Sequence, residues 1–284
     1  MKLHVFRLVL AATAAAGVTA SGLAACFDWS TPAVSSVEGG TPDTSTVETG
    51  ALPDASDTDA LPSCGPPITP PSVASLHLTL DDLASLSTPA AGSGVAYLTT
   101  ATENNFAPGV CRDALRFEAG VYLSYPEVPQ AEGGEAGVPN INYAEGTIMF
   151  WYLPDYAAGD VAAHALIQTF GGSGAGRVRV TSRQNYGGLD FDCFNGFGRS
   201  TVALAPRRWV HIALTWKDGV PPRLFLNGVL DTSPLTIDAS VVPPPVPNPL
   251  RRIALGNVIN QDAATGFPAD GLIDDLRIFP VAIP

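Results

Sequence analysis

The chain has 284 residues, with 15 Lys and Arg against 27 Asp and Glu, and a formal net charge of −12. Such an excess of acid, with no basic stripe, excludes nucleic-acid binding by neutralisation of phosphates. A composition that is 46% hydrophobic and 15% charged fits a folded core. The 28 Gly and 26 Pro favour short strands and many turns over long helices.

The N-terminus reads as an address. Lys2 and Arg7 precede an apolar, Ala-rich run from Leu8 to Thr19, and small residues follow at Ser21 to Ala25. That order is the pattern of a secretory signal, and the apolar run is shorter than the ~20 residues a spanning helix needs. The tetrad Leu23-Ala24-Ala25-Cys26 resembles the lipobox of bacterial lipoproteins. The resemblance implies a signal peptide over residues 1–25, cleavage before Cys26, and acylation of Cys26 on its thiol and new amino group. Several acyl chains anchor stably where one is marginal. The implied location is the bacterial cell envelope. Phe27 is not the aspartate that retains some lipoproteins in the inner membrane, so the outer membrane or cell surface is favoured. The alternatives are a soluble secreted protein with a chance cysteine and a permanent N-terminal helix. Loss of Lys2 and Arg7 would take the net charge from −12 to −14.

Residues 27–63 hold seven acidic residues and no Lys or Arg, with Ser, Thr, Pro, Gly and Ala filling most of the rest. Such a segment buries too little apolar surface to offset its ordering entropy. Residues 26–63 are therefore expected to be a lipidated cysteine on a disordered stalk, spanning roughly 35 Å as a coil.

From Cys64 to Pro284 the pattern turns to strands. Leu76, Leu78 and Leu80 alternate with polar residues, Ala114 to Leu123 reads as a second strand, and Thr147 to Leu153 is apolar on both faces. Arg177 to Thr181 alternates, and Leu189, Phe191 and Cys193 alternate with Asp190 and Asp192. In Trp209 to Trp216, one face carries Val210, Ile212, Leu214 and Trp216; Arg223 to Leu226 returns as its hairpin partner, and Asn227-Gly228 is a strong turn signal. Gly271 to Phe279 closes the series. Residues 127–142 and 241–249 read as loops, the second with five prolines. Short strands at this spacing point to an all-β sandwich.

Three segments in order carry a resemblance: Gly146 to Trp151, Trp209 to Trp216 running on to Leu224 through Gly228, and Gly271 to Phe279. With Ala114 to Gly120, they resemble the laminin G-like jelly-roll domains of the concanavalin A-like lectin and glucanase superfamily. The resemblance covers residues 72–284 and implies a two-sheet antiparallel jelly roll with six or seven strands per sheet. After Phe117, Ala119-Gly120-Val121 stands where the family's commoner pattern is acidic-Gly-acidic.

Fold does not settle function here. Glucanases of this superfamily carry Glu-x-Asp-x-x-Glu on one strand, which sets two carboxyl groups about 5–5.5 Å apart for retaining hydrolysis. No such run occurs, and Glu127, Glu132 and Glu135 read as a solvated Gly-rich loop. His4, His77, His164 and His211 form no His-x-x-x-His pair, and His211 reads as a structural contact in a strand. The leading expectation is a non-catalytic module binding a carbohydrate or an envelope protein. A glycan-cleaving enzyme with an atypical site and a purely structural lipoprotein are the alternatives. Tyr143, Tyr156, Tyr186 and Phe197 are the aromatic candidates for a sugar platform, with core or rim packing the competing role for each.

In an exported protein the three remaining cysteines permit any one of three disulfides. Cys64–Cys111 is favoured because it would staple the start of the domain to an early loop, leaving Cys193 as a buried thiol. In the last strand, period-two alternation puts Asp274 on one face with Leu272, Leu276 and Ile278, where a carboxylate needs a partner. Hydrogen bonds to neighbouring backbone are one solution. The resemblance implies another, a structural Ca²⁺ held by Asp274 with carbonyls from near Asp82 and Gly120.

Overall fold

The alternating face of Val210, Ile212, Leu214 and Trp216 lies in the middle of a sheet in the computed structural model of the chain. The structure describes residues 61–284 except 95, 97–100, 131–136, 158–159, 161, 170–177, 184–187, 194–195, 201, 233–234, 237–245 and 258–266. The expectations for residues 1–60, Cys26 and the stalk among them, and for Tyr186, Glu132 and Glu135, lie outside the described residues.

In chain order the strands are β1 (Leu76–Leu78), β2 (Phe106–Pro108), β3 (Asp113–Phe117), β4 (Leu123–Pro126), β5 (Glu145–Pro154), β6 (Ala163–Thr169), β7 (Arg179–Arg183) and β8 (Gly188–Cys193). They continue as β9 (Gly196–Arg199), β10 (Val210–Lys217), β11 (Val220–Leu226), β12 (Val229–Leu230), β13 (Leu235–Thr236), β14 (Arg252–Leu255) and β15 (Gly271–Phe279). One short helix, α1 (Leu83–Ser87), has Asp82 as its cap, accepting from the Ser85 amide at 2.7 Å. Among the described residues, eight strands form one antiparallel sheet in the order β12-β11-β10-β5-β15-β3-β2, with β1 on β15. Seven form the other, in the order β13-β9-β8-β7-β6-β14-β4. This is the expected two-sheet jelly roll, with seven strands in the smaller sheet and eight, one more than the six or seven expected, in the larger.

The core lies between the sheets. Ile148, Phe150, Tyr152, Ile212, Leu214 and Trp216 of the larger sheet meet Leu166, Val180, Leu189, Phe191, Ile253 and Leu255 of the smaller. Each buried Leu, Ile, Val or Phe contributes roughly 1.5–3 kcal/mol relative to exposure. Phe117 packs so tightly on Gly256 that a Cβ there would sit 1.7 Å from its ring. The hairpin β11–β12 turns through Asn227 and Gly228 at φ 47° and 84°, the two left-handed residues of a tight turn.

The faces of β15 depart from expectation. Asp275 has φ 49°, and the pairing with β5 slips between Asp274 and Arg277. This β-bulge inverts the alternation. Ile273, Leu276 and Ile278 enter the core, whereas Asp274 pairs with Trp151 and Arg277 with Met149 on the other face. Asp274 therefore does not share a face with Leu276 and Ile278. Its burial has a different origin, the chain after β2 folding over it.

That outer face of the larger sheet is covered. Ile68 and Ala74 pack against Met149, Ala213, Phe279 and Ile283. A disulfide joins Cys64 to Cys111, the pairing favoured from the sequence, and Cys193 is a buried free thiol. Glu127 corrects the reading of its segment as solvated. It is 0% exposed, accepts from the Tyr143 hydroxyl, and accepts from the Asn248 amide at 3.2 Å.

Candidate functional site

The smaller sheet presents a polar outer face. In β8, Leu189, Phe191 and Cys193 enter the core, so Asp190 and Asp192 point outward. The strand register continues that outward row across six strands. Ser124 stands opposite Ala254, then come Gln168, Arg179, Asp192 and Phe197. A second row runs Thr181, Asp190, Arg199. Side chains directly opposite on adjacent antiparallel strands meet. Arg179 pairs with Asp192 at 2.5 Å, and the Arg199 Nε donates to Asp190 at 2.8 Å.

Among the described residues of this face, Arg179 Nε and Thr181 Oγ1 are buried without a hydrogen-bond partner. An unmade hydrogen bond of this kind costs on the order of 1–3 kcal/mol. Phe197 is 44% exposed at the end of the first row. The arrangement combines fixed donors, fixed acceptors and an open aromatic ring on a rigid sheet.

Of the other aromatic candidates, Tyr143 and Tyr156 take the packing role that competed with a sugar platform. Tyr143 donates to Glu127 and lies in the core. The Tyr156 hydroxyl meets Ser182 Oγ at 2.7 Å, and its ring stacks on His164. Neither ring face is open to a sugar. His211 is also buried. Desolvation lowers it to about 4, against the pull of Asp275 and with the push of Arg277, and its ring meets Trp151 edge-on. A neutral, enclosed imidazole of this kind is a packing group.

At Asp274 both expected solutions have a physical basis. Its Oδ2 accepts from the Val110 and Cys111 amides at 2.7 and 2.8 Å. Gly109 makes that approach possible, since a Cβ there would lie 2.6 Å from Oδ2. The other oxygen, Oδ1, is buried without a partner, as is Oδ1 of Asp81. Burial raises Asp274 to about 6, opposed by the two amides, with the charges of Asp275 and Asp81 adding to the rise. The expected ligand near Asp82 was a backbone carbonyl, and the Asp82 carbonyl accepts from the Ser85 hydroxyl at 2.6 Å; the orphaned oxygen beside it belongs to Asp81, which sequence reasoning did not single out. Gly120 stands in a turn with φ 89°.

Solved structures with a similar fold include domain 4 of AbnA, a GH43 extracellular arabinanase from Geobacillus stearothermophilus, in complex with arabinotriose. It is 16% identical, with a TM-score of 0.46, covering 74% of this chain and 94% of that one. The receptor binding domain of botulinum neurotoxin D is 13% identical, with a TM-score of 0.50, covering 74% of this chain and 49% of that one. The chain thus spans about half the length of the neurotoxin domain. No curated protein sequence matches it. A laminin G family model, described as the concanavalin A-like lectin/glucanases superfamily, matches residues 132–284, which is more than half of the chain. The chain belongs to that superfamily.

Proposed function

We propose that the domain is a non-catalytic module that binds a glycan on the outer face of its smaller sheet. The observation that carries this reading is the end of the row at Arg179, Asp192 and Phe197 across β7 to β9, where Phe197 is exposed and Arg199 lies beside it. Sugars offer alternating hydroxyl donors and acceptors with apolar ring faces between them. Arg179 and Asp192 supply a donor and an acceptor that already hold each other in place, so little side-chain entropy is lost on binding. Phe197 supplies an apolar surface beside them. Each carboxylate of the two rows faces an arginine that holds it in place as a hydrogen-bond acceptor. The test is a screen of the domain against an array of diverse glycans.

The wider reading places this module on the bacterial cell envelope, tethered by lipid on Cys26 through the acidic stalk. The support is the sequence pattern at Leu23 to Cys26. For the interior of the domain we propose a structural Ca²⁺ held by Asp274 and Asp81. The orphaned Oδ1 atoms of both residues support it. The ion's contribution is stability, since an ion bound only by the folded state raises the unfolding free energy.

A further inference from the structure

We propose that Asp160, His164 and Asp270 form a binding site for a divalent transition-metal ion of the zinc type. One ligand atom from each lies within 4.8 Å of the others. His164 is 3% exposed and is the second residue of β6, while Asp160 precedes it in the crossover from β5, and Asp270 immediately precedes β15. The two chain segments are tied together, because the Asp155 amide donates to the Asp270 carbonyl at 2.9 Å and the Ala165 amide to the Phe267 carbonyl at 3.1 Å.

The imidazole is aimed. Its ring stacks on Tyr156 with centroids 4.4 Å apart and planes 15° apart. Its Nδ1 lies 3.1 Å from the Pro268 carbonyl, an oxygen that can only accept, so Nδ1 carries a proton. In the neutral ring this leaves a lone pair on Nε2. That nitrogen is buried without a hydrogen-bond partner and faces Asp160 Oδ2 at 3.4 Å. A lone pair turned toward two carboxylates is repulsive, and a metal ion between them relieves that repulsion. A histidine whose second nitrogen donates to a backbone carbonyl is the usual support of a metal-binding imidazole.

The dimensions suit a small ion. Ligands at ~2.1 Å in a tetrahedron are about 3.4 Å apart, which is the spacing between His164 Nε2 and Asp160 Oδ2. Asp160 and Asp270 are half-buried, so their carboxylates can close the wider gap. The Asp160 main chain is fixed by its amide on Ala157 at 3.1 Å, and its Oδ1 accepts from the Ala162 amide at 2.7 Å, leaving Oδ2 for the ion. An imidazole in the set favours zinc-type ions over Ca²⁺ and Mg²⁺, which take all-oxygen ligands. Water completes the coordination, and the bound ion pins the β5–β6 crossover to the start of β15.

The test is calorimetric titration of the full chain, stripped with chelator, with Zn²⁺, together with the visible spectrum after loading with Co²⁺. The expected result is one ion bound with a dissociation constant on the order of 10 µM or tighter, retained in excess Ca²⁺ and in Asp274→Asn, with d–d bands from ordered Co²⁺. Asp160→Asn and Asp270→Asn each weaken binding at least ~10-fold. Because they are half-buried, they test the site even if His164→Gln fails to fold, which circular dichroism reports. Absence of binding tighter than ~1 mM in folded protein, with His164 found as an imidazolium, overturns the proposal. So does binding that is lost in Cys193→Ala but intact in Asp160→Asn.

Discussion

Arg179 and Asp192 stand directly opposite each other on β7 and β8, and their side chains form an ion pair on the outer face of the smaller sheet. The equivalent face of the larger sheet is covered by the segment that the disulfide holds down. The functional reading rests on the exposed end of the smaller sheet's polar rows, at Phe197 and Arg199.

The disulfide gives the first prediction. It closes a sequence separation of 47 residues. Chain-entropy arithmetic for a loop of that size gives about 4 kcal/mol as an upper figure. Replacing Cys64 and Cys111 by Ser should lower the urea midpoint and steepen the slope, because the uncrosslinked denatured chain exposes more surface. Peptide mapping without reduction should recover a Cys64–Cys111 linked pair. A linkage through Cys193 would contradict the structure, as would an unchanged midpoint.

Glu127 sets a pH dependence. Burial raises it to about 7, opposed by the Tyr143 hydroxyl, the Asn248 amide and the charge of Arg251. A carboxyl group with a raised folded pKa stabilises fully below its unfolded value near 4.5. That contribution is lost as pH rises through about 7. The loss is about 3 kcal/mol at most. Glu127→Gln should therefore gain stability relative to wild type as pH goes from 5 to 8. Urea melts at both values check this, and parallel profiles for the two proteins would contradict it.

Calcium is tested by thermal melting. At about 100 times the dissociation constant a bound ion adds about 2.7 kcal/mol. For a domain of this size that corresponds to a rise of roughly 5–10 °C. Wild type should melt higher in excess Ca²⁺ than in chelator, and Asp274→Asn and Asp81→Asn should melt alike in both. A wild-type midpoint unchanged by the ion would remove it.

The anchor is tested in cells. Cys26→Ala should move the protein from the membrane fraction to the soluble one, and mass spectrometry of the wild type should find an acylated mature N-terminus at Cys26. A variant that stays with the membrane would contradict the lipobox reading.

The sandwich was legible because its strands obey local rules. Val210, Ile212, Leu214 and Trp216 alternate without interruption, and Asn227-Gly228 turns where its left-handed preference requires. Leu189, Phe191 and Cys193 likewise disclosed the outward Asp190 and Asp192. What escaped was non-local. The bulge at Asp275 inverts the faces of β15, and no residue type announces it. Glu127 looked solvated among Gly and Pro, but Tyr143 and the Asn248 amide bury it. His164 and Asp270 are far apart in the chain, and only the crossover between the sheets brings them together. Phe197 was legible as an aromatic candidate, but its place beside Arg179 and Asp192 needed the strand register.

The most direct test of the central claim is glycan-array binding of wild type beside Phe197→Ala and Asp192→Ala. The account predicts that wild type retains a defined set of glycans, and that each variant, folded by circular dichroism, loses at least about tenfold in affinity for them, or about 1.4 kcal/mol. An array that wild type does not bind would contradict the account, and so would glycans held equally well by all three proteins.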